Sequence, residues 1–567
     1  MSKQFFLILG ALWLLVTPIF AGGQSEPKTE TVVAEKLPPV VPPQRPEDPP
    51  PFTFESDASK MGWWNDVVFY EIYVRSFQDS DGDGVGDFKG MTSRLDYLKD
   101  LGIGGIWLMP IMESPNPHGY DVVDYYSVSS VYGTKEDFLE FMAEARKRGI
   151  KVIIDLVLNH TSNRHPWFVE ASKGPDNPFR DFYRWSKSVE NQRGPWGQSP
   201  VWHTNPGDDE NFYYGVFNFQ MPDLNYRHPP VTQEINKIIK YWLTEMKVDG
   251  FRLDAVKYLI EDGRRLQDVD ENHDWLRNFY TYYKSLNPQA FTVGEVWSST
   301  ATVLKYTGDQ MDVNFQFDLA GSIIASVQSG SSDKVLDQID RIASTFPEGQ
   351  YAPFLTNHDQ ERLMTLLNGN TDNAKLAGAI LLTIPGVPFI YYGEEIGQYG
   401  KGNDDNKRRP MQWDGSEFKG FSTRKPYGSG FNQLGSDLNV ADQLKDPNSL
   451  LSLYKRLISL KKLRPEMRRG KYAPVITNPG QVLSFIRHHE KGDSLVLMNL
   501  GRKEIKNFGL TVWNGPFQTG TKARILEGKL SGDMKLSDPE INSTGGFDFW
   551  QPLTNLPSKS IFVIALE

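Results

Sequence analysis

Three carboxylates stand where short apolar runs end. Asp254 closes Gly250-Phe251-Arg252-Leu253-Asp254, Glu295 follows Gly294, and Asp359 follows Asn357-His358. A fourth polar ending, Asp155-Leu156-Val157-Leu158-Asn159-His160, has the same layout. Arg252 precedes Asp254 by two residues, so in an extended strand both side chains share a face. A cationic neighbour keeps a carboxylate ionised, whereas a carboxyl group crowded by other acids holds its proton longer. Those are the two states that cleavage of a glycosidic bond requires, one group to attack and one to protonate the leaving oxygen. Taken singly, each acid reads more readily as a helix cap or an ion-pair member. Four such endings in order reverse that preference. Asp155, inside its run, is expected to support the framework instead of touching a ligand.

Convergence of these endings needs a frame. From Trp63 onward, short β-branched or apolar runs alternate with helical stretches, the rhythm of a parallel α/β sheet. Candidate strands are 67–74, 105–109, 151–157, 249–254, 291–296, 313–318, 351–356 and 387–392. Eight strands close a barrel, and barrels present their reactive groups at the carboxyl ends of the strands. The helix expected at 135–148 carries Phe138, Phe141, Met142 and Ala145 on one face. The interval 161–225, rich in Pro, Gly, Asn, Trp and Tyr, is too long for a simple loop and reads as an inserted subdomain after the third strand. Beyond residue 466 helical periodicity stops, and 482–487, 494–498 and 560–565 read as a separate antiparallel β module. The expected fold is thus a (β/α)8 TIM barrel over 62–160 and 226–465, with a subdomain at 161–225 and a C-terminal β domain at 466–567.

With these motifs in order, the chain resembles the α-amylases of glycoside hydrolase family 13, from about Trp63 to the C-terminus. The resemblance implies Asp254 as nucleophile, Glu295 as general acid/base and Asp359 as transition-state stabiliser. It also implies His160 and His358 as sugar-hydroxyl ligands, Tyr120 in Gly119-Tyr120-Asp121 as the platform under the ring being attacked, and Arg252 as the residue that positions the nucleophile. Lys257, Asp121 and Arg408 complete the expected substrate contacts. Met221-Pro222-Asp223-Leu224-Asn225 is similar to the motif of a branch between oligo-1,6-glucosidases and neopullulanase-like enzymes. Ala255 after the nucleophile and Val296 after the acid/base look like α-1,4-acting members. Against this, Lys407-Arg408-Arg409-Pro410-Met411-Gln412-Trp413 resembles an oligoglucosidase segment, and an Asp121 to Arg408 pair would favour exo-action on short chains. Endo-acting α-amylase is the favoured reading. Exo-acting α-glucosidase is the first alternative, and a non-catalytic carbohydrate-binding or transporter-associated relative the second.

Asp79-Ser80-Asp81-Gly82-Asp83-Gly84-Val85-Gly86-Asp87 places carboxylates at alternate positions around glycines, which suits a hard cation with oxygen ligands, Ca2+ above others. An EF-hand is disfavoured, because Gly90 stands where the bidentate glutamate belongs and a strand-like run precedes the loop. The family resemblance implies Asp79, Asp81, Asp83, the Val85 carbonyl and Asp87 as ligands. Asn159 resembles a second calcium ligand, but Tyr258 stands where many relatives carry His.

Composition narrows the remaining classes. A chain of 567 residues with 39% apolar and 23% charged residues can fill a large core and is too long for one ordinary domain. A formal charge of -10 lacks the basic footprint of a nucleic-acid binder. The absence of cysteine excludes disulfides, thiolate metal sites and a cysteine nucleophile. No glycine fingerprint lies between a strand and a helix, which disfavours a dinucleotide fold. Residues 1–23 have the basic start, apolar stretch and small-residue end of a secretory signal, so export is expected. Gly23 occupies the position a lipid-bearing cysteine would need, so no lipid tether is expected. Residues 24–61, with their proline cluster, read as a disordered or semi-rigid linker. The expected partner is an α-glucan or maltooligosaccharide; no protein partner is identifiable, and a monomer is expected.

Overall fold

The computed structural model describes residues 42–47, 52, 58–189, 192–195, 197, 199–428, 430, 431 and 438–567. The proposed export signal, 1–23, and most of the linker lie outside them. Among the described residues no helix is long and apolar enough to cross a membrane. In what remains of the linker, Arg45 donates to Thr544 Oγ1 at 3.0 Å and Phe52 packs on the C-terminal β core.

Eight parallel strands form the central sheet: β1 (Phe69–Ile72), β2 (Gly105–Leu108), β3 (Lys151–Leu156), β4 (Gly250–Leu253), β5 (Phe291–Gly294), β6 (Val313–Phe315), β7 (Tyr351–Ala352) and β8 (Phe389–Tyr391). Their hydrogen-bonded order is β7-β6-β5-β4-β3-β2-β1-β8. Two backbone bonds, Val387 N–H to Tyr351 O and Phe389 N–H to Pro353 O, both 2.9 Å, join the sheet's first and last strands into a (β/α)8 barrel. Every expected strand is present but several are shorter than their apolar runs. β7 stops before Pro353, which has no N–H for a ladder, and β6 ends because Phe317 opens the helix Phe317–Ser329.

Alternation along the strands separates two cores. Phe69, Trp107, Ile153, Phe291, Val293, Phe315 and Phe389 fill the barrel, whereas Tyr70, Ile106, Ile154, Phe251 and Leu253 face the surrounding helices. The helix Lys135–Lys147 shows why those helices form where they do. Thr134 Oγ1 accepts from Asp137 N–H and Asp137 accepts from Thr134 N–H, a reciprocal cap. Phe138, Phe141, Met142 and Ala145 are its buried face, as the 3.6-residue spacing predicts.

Between β3 and β4 the chain leaves the barrel to form a small antiparallel sheet of Trp185–Ser186, Asp208–Tyr214 and Trp202–Asn205. It returns through the bridge of His160 to Asp223. After the helix Leu450–Leu463, two antiparallel sheets of five and three strands make up the C-terminal β domain.

Candidate active site

Period-two alternation sends Glu71 of β1, Asp155 of β3 and Arg252 of β4 into the barrel above the apolar layer, and continues to Asp254 and Glu295 just beyond their strands. Arg252 is the hub. Its Nη1 lies 2.9 Å from both Asp155 oxygens and 2.7 Å from Asp254 Oδ1, and its Nη2 lies 2.9 Å from Glu295 Oε2. The guanidinium is 1% exposed and packs over the Trp107 ring at 5.2 Å. Its two terminal nitrogens therefore hold Asp254 and Glu295 as neighbours, the relation that a double displacement requires at about 5 to 5.5 Å between carboxyl groups.

A second chain of contacts reaches Asp359. The Tyr120 hydroxyl lies 3.1 Å from Asp155 Oδ2 and 2.6 Å from His358 Nε2, and the two rings stack at 5.6 Å. His358 Nε2 is 3.2 Å from Asp359 Oδ2, while its Nδ1 is 2.5 Å from Glu71 Oε1. Arg408 Nη2 binds Asp359 Oδ1 and Asp404 Oδ2, both at 3.0 Å, and its Nε donates to the His358 carbonyl. Asp254, Glu295 and Asp359 thus share one mouth, linked through Arg252, Tyr120 and His358.

The electrostatics divide the three acids. Burial opposes the Asp359 charge, but the His358 imidazolium and Arg408 override it and hold Asp359 well below the usual range. Burial would also lower His358, yet Asp359 and Glu71 lift it to about 9, so it is cationic at neutral pH. Burial raises Glu295, and the nearby Asp254 and Asp359 raise it further against Arg252. Asp254 departs from the expectation that its arginine keeps it low: burial lifts it to about 6, assisted by Asp155 and Asp359. Asp155 reaches about 6 for the same first reason. Five acids, Glu71, Asp155, Asp254, Glu295 and Asp359, face three cations, Arg252, Arg408 and His358. The excess of acids favours retention of a proton in the cluster.

Ala255, directly after Asp254, adopts the left-handed conformation at φ 49°, rare for a residue with a side chain. This sharp turn aims its N–H at Glu295 Oε2, 3.1 Å away. His160 is buried, its Nε2 on the Tyr120 carbonyl at 3.1 Å and its ring edge-on to Phe217. Lys257 Nζ donates to the Trp297 carbonyl at 2.7 Å. Asp121 accepts from Ser114 and Asn116, both at 2.6 Å, and lies 3.7 Å from His118 Nε2. No ion pair joins Asp121 to Arg408 among the described residues; Arg408 is engaged with Asp359 and Asp404 instead. Asp155 stands at the centre of the site, bonded to Arg252 and Tyr120. Glu71 and Asp404 are absent from the sequence reading. A lone acid within the apolar run 67–74 was the available sign of Glu71.

The glycine-rich loop after β1 brings together Asp79, Asp81 and Asp87, whose ligand oxygens lie within 4.8 Å of one another. Gly82 and Gly84, at φ 79° and 90°, allow the tight winding. Among the described residues none of these three carboxylates has a Lys, Arg or His partner, so an all-oxygen cluster of like charge fits a hard cation. Asp83 is outside the converging group; its Oδ1 accepts from the Val85 N–H at 2.7 Å. Asp87 also caps the helix Phe88–Ser93 through the Gly90 N–H. Asn159 is buried with its Oδ1 unpartnered, as is Asp223 Oδ2.

Residues 71–470 match the family described as alpha amylase, catalytic domain. Alpha-amylase 3 of Dictyoglomus thermophilum is 39% identical over 446 residues, covering 78% of this chain and 86% of that protein. Oligo-1,6-glucosidase of Bacillus cereus is 31% identical over 516 residues, covering 78% and 91%. The crystal structure of alpha-amylase from H. orenii superposes with a TM-score of 0.75 at 36% identity, covering 88% of this chain and 99% of that one. The chain belongs to the alpha-amylase family and is a glycoside hydrolase.

Proposed function

We propose that this glycoside hydrolase is an exported α-amylase that cleaves internal α-1,4-glucosidic bonds of starch and maltooligosaccharides with retention of configuration. The observation that carries the reading is the Arg252 fork, which holds Asp254 and Glu295 side by side. In the first step the Asp254 carboxylate attacks the anomeric carbon while Glu295 gives its proton to the departing glycosidic oxygen. A glycosyl ester on Asp254 results. Water then gives its proton to the Glu295 carboxylate and its oxygen to the anomeric carbon, which frees Asp254. Asp359, kept ionised by His358 and Arg408, faces the positive charge that develops on the ring. Tyr120, held by its stack on His358, is taken as the platform under that ring.

The engagement of Arg408 with Asp359 and Asp404 supports endo-action, because the pair that would close the pocket behind one sugar is not made. The exo reading on short oligosaccharides draws support from segment 407–413 and from the oligo-1,6-glucosidase relatives. Purified protein on soluble starch separates the two. Endo-action predicts loss of iodine staining well before glucose accumulates, with the α-anomer formed first by NMR. Glucose as the first product with persistent staining refutes endo-cleavage, and an initial β-anomer refutes the double displacement.

Calcium is proposed for the loop of Asp79, Asp81 and Asp87, where it would neutralise the clustered acids and brace the segment that follows β1. Export is proposed from the layout of residues 1–23.

A further inference from the structure

Glu71 is an acid buried within the first barrel strand, and no step of the proposed reaction uses it. Its alternation with Phe69 turns it into the barrel, and its register sets it between Trp107 of β2 and Tyr391 of β8. There its Oε1 lies 2.5 Å from His358 Nδ1, and both residues are buried. The remaining groups around the His358 imidazole come from other elements. Tyr120, after β2, stacks on the ring and meets Nε2 with its hydroxyl at 2.6 Å. Asp359 Oδ2 lies 3.2 Å from the same nitrogen, Trp107 packs edge-on, and Arg408 holds the His358 carbonyl through its Nε. Asp155 of β3 and Arg252 of β4 stand one contact further, on the Tyr120 hydroxyl at 3.1 and 3.3 Å.

Counting hydrogens fixes the state of this chain of contacts. An ionised carboxylate only accepts, so Glu71 requires a hydrogen on His358 Nδ1. The Tyr120 hydroxyl has one hydrogen to give and room to accept two. When His358 is an imidazolium, its Nε2–H points to Tyr120 and Asp359, Arg252 donates the second bond to Tyr120, and the Tyr120 hydrogen is free for Asp155. When His358 is neutral with its hydrogen on Nδ1, Nε2 becomes an acceptor. It then competes with Asp155 for the one Tyr120 hydrogen, and its lone pair faces the Asp359 carboxylate. Only the imidazolium satisfies every contact, and Asp155 in turn shares Arg252 with Asp254.

We propose that Glu71 is a positioning residue for the glycosidic reaction: from the inner face of β1 it fixes the hydrogen on His358 Nδ1, and through the one hydrogen of Tyr120 this keeps Asp155 and Arg252 set on the Asp254 carboxylate. The inference rests on the α-glucan hydrolase reading and deepens it, because it ties the nucleophile to an acid that acts only through other residues. The electrostatics agree in sign. Burial opposes the His358 charge, but Asp359 and then Glu71 lift it to about 9. Removing the Glu71 charge therefore lets His358 lose its proton at lower pH.

The test is the pH profile of kcat/KM on α-maltosyl fluoride for wild type, Glu71→Gln and Glu71→Leu, each checked for folding by near-ultraviolet circular dichroism. Fluoride departs without a proton, so deprotonation of Glu295 does not impose the alkaline limb. That limb, expected near pH 9 in wild type from His358, should move down by at least about one unit in Glu71→Gln. Glutamine keeps an oxygen for the Nδ1–H, whereas leucine leaves that buried donor unpaired, so at about pH 6 Glu71→Leu should fall about 5- to 100-fold below Glu71→Gln. A residue that only fills space would lower activity evenly across pH. An alkaline limb within a few tenths of wild type in Glu71→Gln overturns the proposal, and so does a folded Glu71→Leu as active as Glu71→Gln at that pH. If Glu71→Leu does not fold, the limb of Glu71→Gln decides alone. Wild-type protein that leaves α-maltosyl fluoride intact would instead refute the hydrolytic reading beneath it.

Discussion

Replacing Arg252 with methionine tests the electrostatic centre of the site. The guanidinium makes four contacts of 2.7 to 2.9 Å to carboxylate oxygens, two on Asp155 and one each on Asp254 and Glu295. Methionine keeps much of the volume and leaves those three buried acids without their shared cation. An adjacent arginine lowers a carboxylate by about 1 to 3 pKa units, so its loss should move Asp254 from about 6 to ~7–9. At pH 7 the ionised fraction of the proposed nucleophile then drops by about 2- to 100-fold, from the shift alone. α-Maltosyl fluoride is the right substrate, because its leaving group needs no proton and the profile then reports Asp254 with little contribution from Glu295. The acid limb of kcat/KM, expected near pH 6 in wild type from the Asp254 carboxyl, should move up by at least about one unit, with activity recovering toward alkaline pH. Arg252→Lys, a single point donor in place of a fork, should move it less. Stability depends on the same group. Asp254 titrates higher in the folded protein than in the unfolded chain, so between about pH 4 and 6 the folded state binds the extra proton and this contribution falls as pH rises. In Arg252→Met that fall should extend through the new, higher pKa. A variant that remains folded with its acid limb within a few tenths of wild type would refute the reasoning.

Two other outcomes follow from the same geometry. Glu295→Gln should lower turnover on maltoheptaose by about 10²- to 10⁴-fold without loss of folded structure by circular dichroism, and near-wild-type turnover would remove its acid/base assignment. Chelation should lower the midpoint of thermal unfolding, and added Ca2+ should restore it, with about 2.7 kcal/mol at stake when free ion exceeds Kd a hundredfold. Asp79→Asn should abolish that response, whereas an identical midpoint with and without chelator would refute the metal loop.

The barrel was legible because its strands are covered on both faces, by the interior aromatic layer and by the helices. Each therefore reads as a continuous apolar run, and the acids at the run ends stand out against it. Strand ends were less legible: whether a run continues its ladder depends on donors such as the one Pro353 lacks, and on where a helix such as Phe317–Ser329 begins. Asp155 lies inside its run, and alternation from Ile153 turns it inward, where the register opposite Arg252 makes it a support of the cluster.

Arg408 shows why partners are harder to read than positions. Sequence likeness offers Asp121 as its mate, yet ion pairs are chosen by reach, and two nearer carboxylates decide the choice. The short helix Asp404–Lys407 sets Asp404 four residues before Arg408, a spacing that brings side chains together on one helical face. The carboxyl end of β7 delivers Asp359 from the other side. Glu71 and His358 make the same point at a separation of 287 residues, since their 2.5 Å contact exists only because β1 and the segment after β7 both end at one mouth. The consequence for function is that Asp359 owes its ionised state to His358 and Arg408, while Asp359 and, after it, Glu71 maintain the His358 charge. The charge pattern of the mouth is therefore a property of barrel closure.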